Sequence, residues 1–152
     1  MAIVPLHELP AAGALIGIDP GARALGLAVC DAGRLIASPL ATLRRGRKLA
    51  PVLDELFAHV DERGVVGLVI GLPLNMDATP GPRAQSAKAL ARNITARRDL
   101  PVALFDERLS SAQAERALLE ADLSRARRAA LIDAAAATVI LQAAIDQLAN
   151  AK

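Results

Sequence analysis

Three carboxylates set in apolar runs constrain this chain more than any other feature. Asp19 closes the run ALIGID and is followed at once by a Pro-Gly turn. Glu107 closes PVALFDE. Asp133 interrupts AALIDAAAATVILQAAI, where the only other polar residues are Thr138 and Gln142. A carboxylate at the edge of a core persists when it is paired, hydrogen-bonded or metal-bound. Three of them, drawn from distant parts of one chain, point to a shared cation held by oxygen donors. Each also has a plainer reading. Asp before Pro-Gly is a common turn residue. Asp133 suits the first turn of a helix, where the dipole favours negative charge. Asp106 and Glu107 point to opposite faces of a strand, so one of them faces the cleft and the other is available to pair with Arg108. The pattern alone does not choose between them.

The core must be built without aromatic bulk. Hydrophobic residues make up 53% of 152 residues, yet Phe57 and Phe105 are the only aromatics, so Leu, Ile, Val and Ala carry the packing. The length predicts one domain. Residues 1–13 read as a loose extension and 14–150 as the folded unit. ALIGID, LGLAVC and RLIASPL read as three short strands with tight connections, an antiparallel meander. Leu49, Val52, Leu53, Leu56, Phe57 and Val60 form a helical stripe that Gly64 ends. GVVGLVIGL reads as a strand buried on both faces. A helix follows from Pro82 to about Arg98, and PVALFD reads as the fifth strand. Ser110 with Gln113 matches a capping box, opening a helix over SSAQAERALLEAD. A basic connector, SRARR, leads to a final alanine-rich helix. The expected architecture is α/β: a five-stranded mixed sheet, three-strand antiparallel meander plus parallel strands, flanked by helices. Ligands in such sheets bind beyond strand carboxyl ends, where Asp19 and Glu107 both fall.

Several chemistries are excluded. There is no Walker loop, no Ser/His/Asp order and no Cys/His zinc spacing. His7 and His59 stand outside any motif, and Cys30 reads as a buried small hydrophobe. The N-terminus lacks a basic secretory region, and the apolar stretch 129–145 is too short to span a bilayer. A cytoplasmic protein is expected. Formal net charge is only +2, but of 18 cationic side chains all except Lys48, Lys88 and Lys152 are arginine, which suits bidentate phosphate contact. Without Trp or Tyr, stacking on splayed bases is unavailable. Nucleic acid would have to be read through its backbone and shape. In the loop after the fourth strand, Asn75 and Asp77 are candidate substrate contacts. Arg83 lies at a helix start that suits anions.

The segments LIGIDPGARALGLAVCD, VIGLPLNMDATPGPRA, LFDERLSSAQAERALLEADLSR and IDAAAATVILQAAID resemble the YqgF/RuvX family of pre-16S ribosomal RNA nucleases, also described as Holliday junction resolvases. The likeness covers about residues 14–147, and the GLPLNMD and DERLS blocks are specific. It implies an RNase H-like fold. It implies that Asp19, Glu107 and Asp133 are the catalytic, metal-holding acids, favouring Glu107 over Asp106, with Mg²⁺ or Mn²⁺ as the ion. It implies that Arg23 and the GLPLNMD loop, with Asn75 and Asp77, contribute to the substrate side, where Gly21, Arg83 and Arg108 are further candidate contacts. The expected substrate is structured nucleic acid, the 5′ end of pre-16S rRNA first, with branched DNA or non-catalytic RNA binding in ribosome assembly as alternatives. Junction resolution would require a homodimer. The family commonly carries a cation where this chain has Ala24, so one phosphate contact is expected to be missing.

Overall fold

In a computed structural model, described over residues 3–21, 23–73, 81–110 and 125–151, five strands form one sheet. The elements are β1 (Leu15–Pro20), β2 (Ala24–Cys30), β3 (Ala37–Arg44), α1 (Ala50–Arg63), β4 (Gly67–Leu72), α2 (Pro82–Arg97), β5 (Val102–Asp106) and α3 (Arg125–Asn150). The strand order is β3-β2-β1-β4-β5. β1, β2 and β3 pair antiparallel, whereas β4 lies parallel to both β1 and β5. This is the mixed sheet expected from the meander followed by helical crossovers. The capping-box helix after Ser110 and the loop bearing Asn75 and Asp77 lie outside the described residues.

Strand alternation sorts the core into two layers. Ile16, Ile18, Leu25, Leu27, Leu68 and Ile70 face α1 and α2. Leu15, Val69, Ala103 and Phe105 face α3 through Ala136, Ala137, Ile140 and Leu141. The second layer is thin because both sides are built from small residues. A side chain at Gly17 would meet Leu141 Cβ at 2.7 Å, and one at Gly71 would meet Ile140 Cδ1 at 2.7 Å. The alanine content of α3 and the glycines of the strands are therefore one adaptation: they let a helix lie close on a sheet. Gly64 ends α1 in the left-handed conformation, φ 60°, donating its N–H to the carbonyls of Val60 and Asp61. Arg97 and Arg98 both lie over the Phe57 ring and reach Asp54 and Asp61, tying the end of α2 to α1.

Three expectations change. Residues 3–13 are not a loose extension. The N–H of Val4 donates to the Val102 carbonyl at 2.8 Å, covering the edge of β5, and Leu6 and Leu9 are buried under α3. Leu9→Ala is expected to cost about 2–3 kcal/mol, because the site is closed to solvent. Urea denaturation measures it, and an unchanged midpoint would show that the segment is dispensable.

The third strand begins at Ala37, not Arg34, and runs on to Arg44. Arg34 takes a left-handed turn, φ 55°, while its guanidinium donates to the carbonyls of Gly13 and Pro10 at 2.8 and 2.6 Å. Gln142 accepts the Ala37 N–H and donates to the Leu35 carbonyl, which fixes where pairing starts. Pro39 is tolerated because β3 is an edge strand and the register shifts beside it. Finally, SRARR is not a connector, since α3 is already helical at Arg125.

Candidate active site

The sheet brings the acids to one end. Asp19 lies directly opposite Gly26 in the β1–β2 ladder, so both point to the α3 face. There α3 crosses β2 so closely that a Cβ on Gly26 would stand 1.9 Å from the Asp133 carbonyl oxygen. Gly26 thus seats the backbone of Asp133 beside Asp19. On the other side, the next position of β4 is Gly71, whose missing side chain leaves room for Glu107, with Oε1 3.2 Å from where a Cβ would be. Asp19 is 2% exposed and Glu107 is 1% exposed, the only polar residues in the described core. Asp133 is half-buried.

The Asp106–Glu107 ambiguity resolves physically. Glu107 turns inward at the start of a short 3-10 turn, while Asp106 caps that turn by accepting the Arg108 N–H at 3.0 Å. Arg108 also grips Asp106 through Nε and Nη2, the latter at 2.6 Å. From the other side, the Ser110 hydroxyl and N–H both donate to the Glu107 carbonyl, at 2.9 and 3.0 Å. Glu107 is therefore held by its own turn. The Arg108 guanidinium beside Asp106 holds that carboxyl below the usual carboxylate range. A depressed folded value means the clamp stabilises above the unfolded aspartate midpoint of about 3.9 and is lost as pH falls through the lower folded one. An NMR titration of the Asp106 carboxyl carbon is expected to show a midpoint below that of an unfolded aspartate. An ordinary midpoint would mean that the clamp does not form in solution.

The expected substrate residues divide. Arg23 is exposed on the β1–β2 turn and Arg83 is exposed in the first turn of α2. Arg108 is exposed, and its guanidinium is engaged by Asp106. Gly21 is a turn residue here: its N–H donates to the Asp19 carbonyl and its own carbonyl accepts from Arg45. A side chain on Gly21 would meet the Ala24 carbonyl oxygen at 2.5 Å. Asn75 and Asp77 lie outside the described residues.

Arg45 is a residue the sequence did not flag. Its Nη1 donates to the Gly21 carbonyl at 2.9 Å, and its N–H donates to the Arg23 carbonyl at 2.8 Å. It thereby stiffens the turn that follows Asp19. Arg45→Ala is expected to speed amide hydrogen exchange at Gly21 and cost about 1–2 kcal/mol. Unchanged exchange would show that the contact is dispensable. The signal that could have found it is the run RRGRK, residues 44–48, at the end of the third strand.

The donor set fits a hard divalent ion: three carboxylates and no histidine or thiolate. Among the described residues, no three His, Cys, Asp or Glu side chains are grouped to hold one ion. Two cavities of about 400 and 750 Å³ lie at the other end of the sheet, around Arg34 and Cys30. Burial pushes the Cys30 thiol up, as befits an inert core residue. No helix among the described residues is long and apolar enough to cross a membrane.

Mixed strand order and helices on both faces define an RNase H-like fold, with acids at the carboxyl ends of β1 and β5. A solved structure described as Thermus thermophilus RuvC in complex with Holliday junction substrate shares the fold, with a TM-score of 0.53, 14% identity, and coverage of 89% of this chain and 96% of that one. The chain belongs to the RuvX family, described as Holliday junction resolvase, whose model matches residues 13–147. Similar proteins in Rhodobacter capsulatus and a Bradyrhizobium species are each named "Putative pre-16S rRNA nuclease". The first is 54% identical over 142 residues, covering 93% of this chain and 89% of its own. The second is 49% identical over 152 residues, covering 97% and 94%.

Proposed function

We propose that this chain is a metal-dependent endonuclease acting in the cytoplasm on structured RNA, trimming the 5′ end of pre-16S rRNA. The observation that carries the site is the contact of Asp133 with Gly26, directly across from Asp19. It joins a helix residue to a strand residue more than a hundred positions away in sequence. Asp19, Glu107 and Asp133 would hold Mg²⁺ or Mn²⁺, which when bound acidifies water and offsets charge on the leaving oxygen. The protein supplies the rest. Burial of Asp19 and Glu107 keeps bulk water from the carboxylates, so their charge acts in a medium of low dielectric. The Asp106–Arg108 clamp and the Ser110 bonds fix where Glu107 leaves the backbone. Arg23 and Arg83 offer cations to phosphates. Phe57 and Phe105 are both buried, so no aromatic platform reads bases.

The test is cleavage of end-labelled 16S leader RNA with Mg²⁺, with Mn²⁺ or with EDTA. Metal-dependent cutting at a discrete position is expected. Binding without cutting in any metal would replace this reading with that of an assembly factor. The family description favours a second reading, resolution of four-way DNA junctions. It requires paired cuts by a homodimer, so a junction substrate run beside the RNA, with sedimentation of the protein, separates the two.

A further inference from the structure

Between Asp31 and Asp54 the chain carries no carboxylate and five cations, four of them packed into Arg44, Arg45, Arg47 and Lys48. The fold sets this run beside the acids. Arg44 ends β3 opposite Ala24, two residues beyond the row that joins Thr42, Gly26 and Asp19. Alternation puts Arg44 on the same sheet face as Asp19, and strand spacing places their Cα atoms roughly 12 Å apart. Arg45 turns inward and fastens the run to the β1–β2 turn. Arg44, Arg47 and Lys48 are left exposed next to exposed Arg23.

Among the described residues, none of these four outward cations forms an ion pair, whereas Arg63, Arg97, Arg98 and Arg108 each have a carboxylate partner. Arg83, Lys88 and Arg92 also lack one, but they are spread along α2 rather than gathered. A cluster of uncompensated cations at the rim of an acidic centre repels itself, and a polyanion relieves that repulsion.

We propose that the β3–α1 turn, through Arg44, Arg47 and Lys48 with Arg23, binds the phosphodiester backbone of the nucleic acid and leads it to the three acids. The inference rests on the nuclease reading for its direction but not for its binding chemistry. Ala24 then leaves no gap in the phosphate contacts, because the cation on that face comes from Arg44 across the ladder.

Fluorescence anisotropy of a dye-labelled RNA duplex, titrated from 50 to about 200 mM salt against Asp19→Asn protein, tests it without cleavage. Replacing Arg44, Arg47 and Lys48 together by alanine is expected to weaken binding at least tenfold at low salt. The slope of log affinity against log salt should become shallower by about two to three. The charge-keeping pair Arg44→Lys and Arg47→Lys should retain the slope, and Arg92→Ala should change it by no more than about one. An unchanged slope in the triple variant, or no binding of the duplex by its parent, overturns the proposal. The same duplex as DNA is a second arm: an equal change assigns the site to backbone charge, and a change confined to RNA assigns it to the ribose backbone. Cleavage by the chain with Asp19 intact is scored separately. A protein that never cuts but loses slope in the triple variant sinks the nuclease reading and leaves this site standing.

Discussion

Asp19→Asn is expected to abolish metal-dependent cleavage, by about a thousandfold or more, while leaving the fold intact. The substitution conserves shape at a position 2% exposed, so packing barely changes. What goes is the charge of the carboxylate that shares a row with Gly26 and, through it, with Asp133. Losing several kcal/mol of transition-state stabilisation corresponds to that rate effect, at about 1.4 kcal/mol per factor of ten. Two readouts are needed. Cleavage of end-labelled RNA reports the chemistry. Mn²⁺ binding, followed by electron paramagnetic resonance without substrate, reports the site itself and should weaken in the variant. If purified Asp19→Asn protein cuts as fast as wild type, the assignment of the acids is wrong.

Gly26→Ala should produce the second largest effect, and of a different kind. The added methyl would stand 1.9 Å from the Asp133 carbonyl oxygen, 2.3 Å from its carbon and 3.0 Å from the Ala134 nitrogen. All three are backbone atoms, so no rotamer change relieves the clash and α3 has to move. Overpacking usually costs 1–3 kcal/mol, and a backbone obstacle belongs at or above the top of that range. The melting temperature is expected to fall by about 6–12 °C for a chain of this size. Activity should fall as well, because the displaced helix carries Asp133 away from Asp19. Thermal unfolding and cleavage are measured on the same preparation. A melting temperature within about 2 °C of wild type would show that α3 does not lie on β2 as described.

The acids and the sheet were legible because each rests on local pattern. Asp19, Glu107 and Asp133 stood out by being polar in apolar runs. β1, β2, β4 and β5 appeared as apolar runs bounded by turn residues, and α1 as a stripe ended by Gly64. The start of β3 was not legible, since it is set by Arg34 reaching Gly13 and Pro10 and by Gln142 reaching Ala37. Those contacts span 21 to 105 positions. The docking of Leu6 and Leu9 was hidden for the same reason: its partner surface comes from the other end of the chain.

The sequence by itself determined that a mixed sheet would carry carboxylates at its strand ends, because burial and periodicity are properties of neighbours along the chain. The choice of Glu107 over Asp106 rests on family likeness; the structure shows that Glu107 is buried and that Asp106 is clamped by Arg108. Only the tertiary structure decided that Gly26 seats Asp133, that Arg45 locks the turn after Asp19, and that Arg44 shares its face. Each depends on which strands are adjacent and how closely a helix approaches them, a distance fixed by the absence of side chains at Gly17, Gly26 and Gly71. A missing side chain leaves no mark in a hydrophobic pattern, so its consequence is visible only where another part of the chain fills the space.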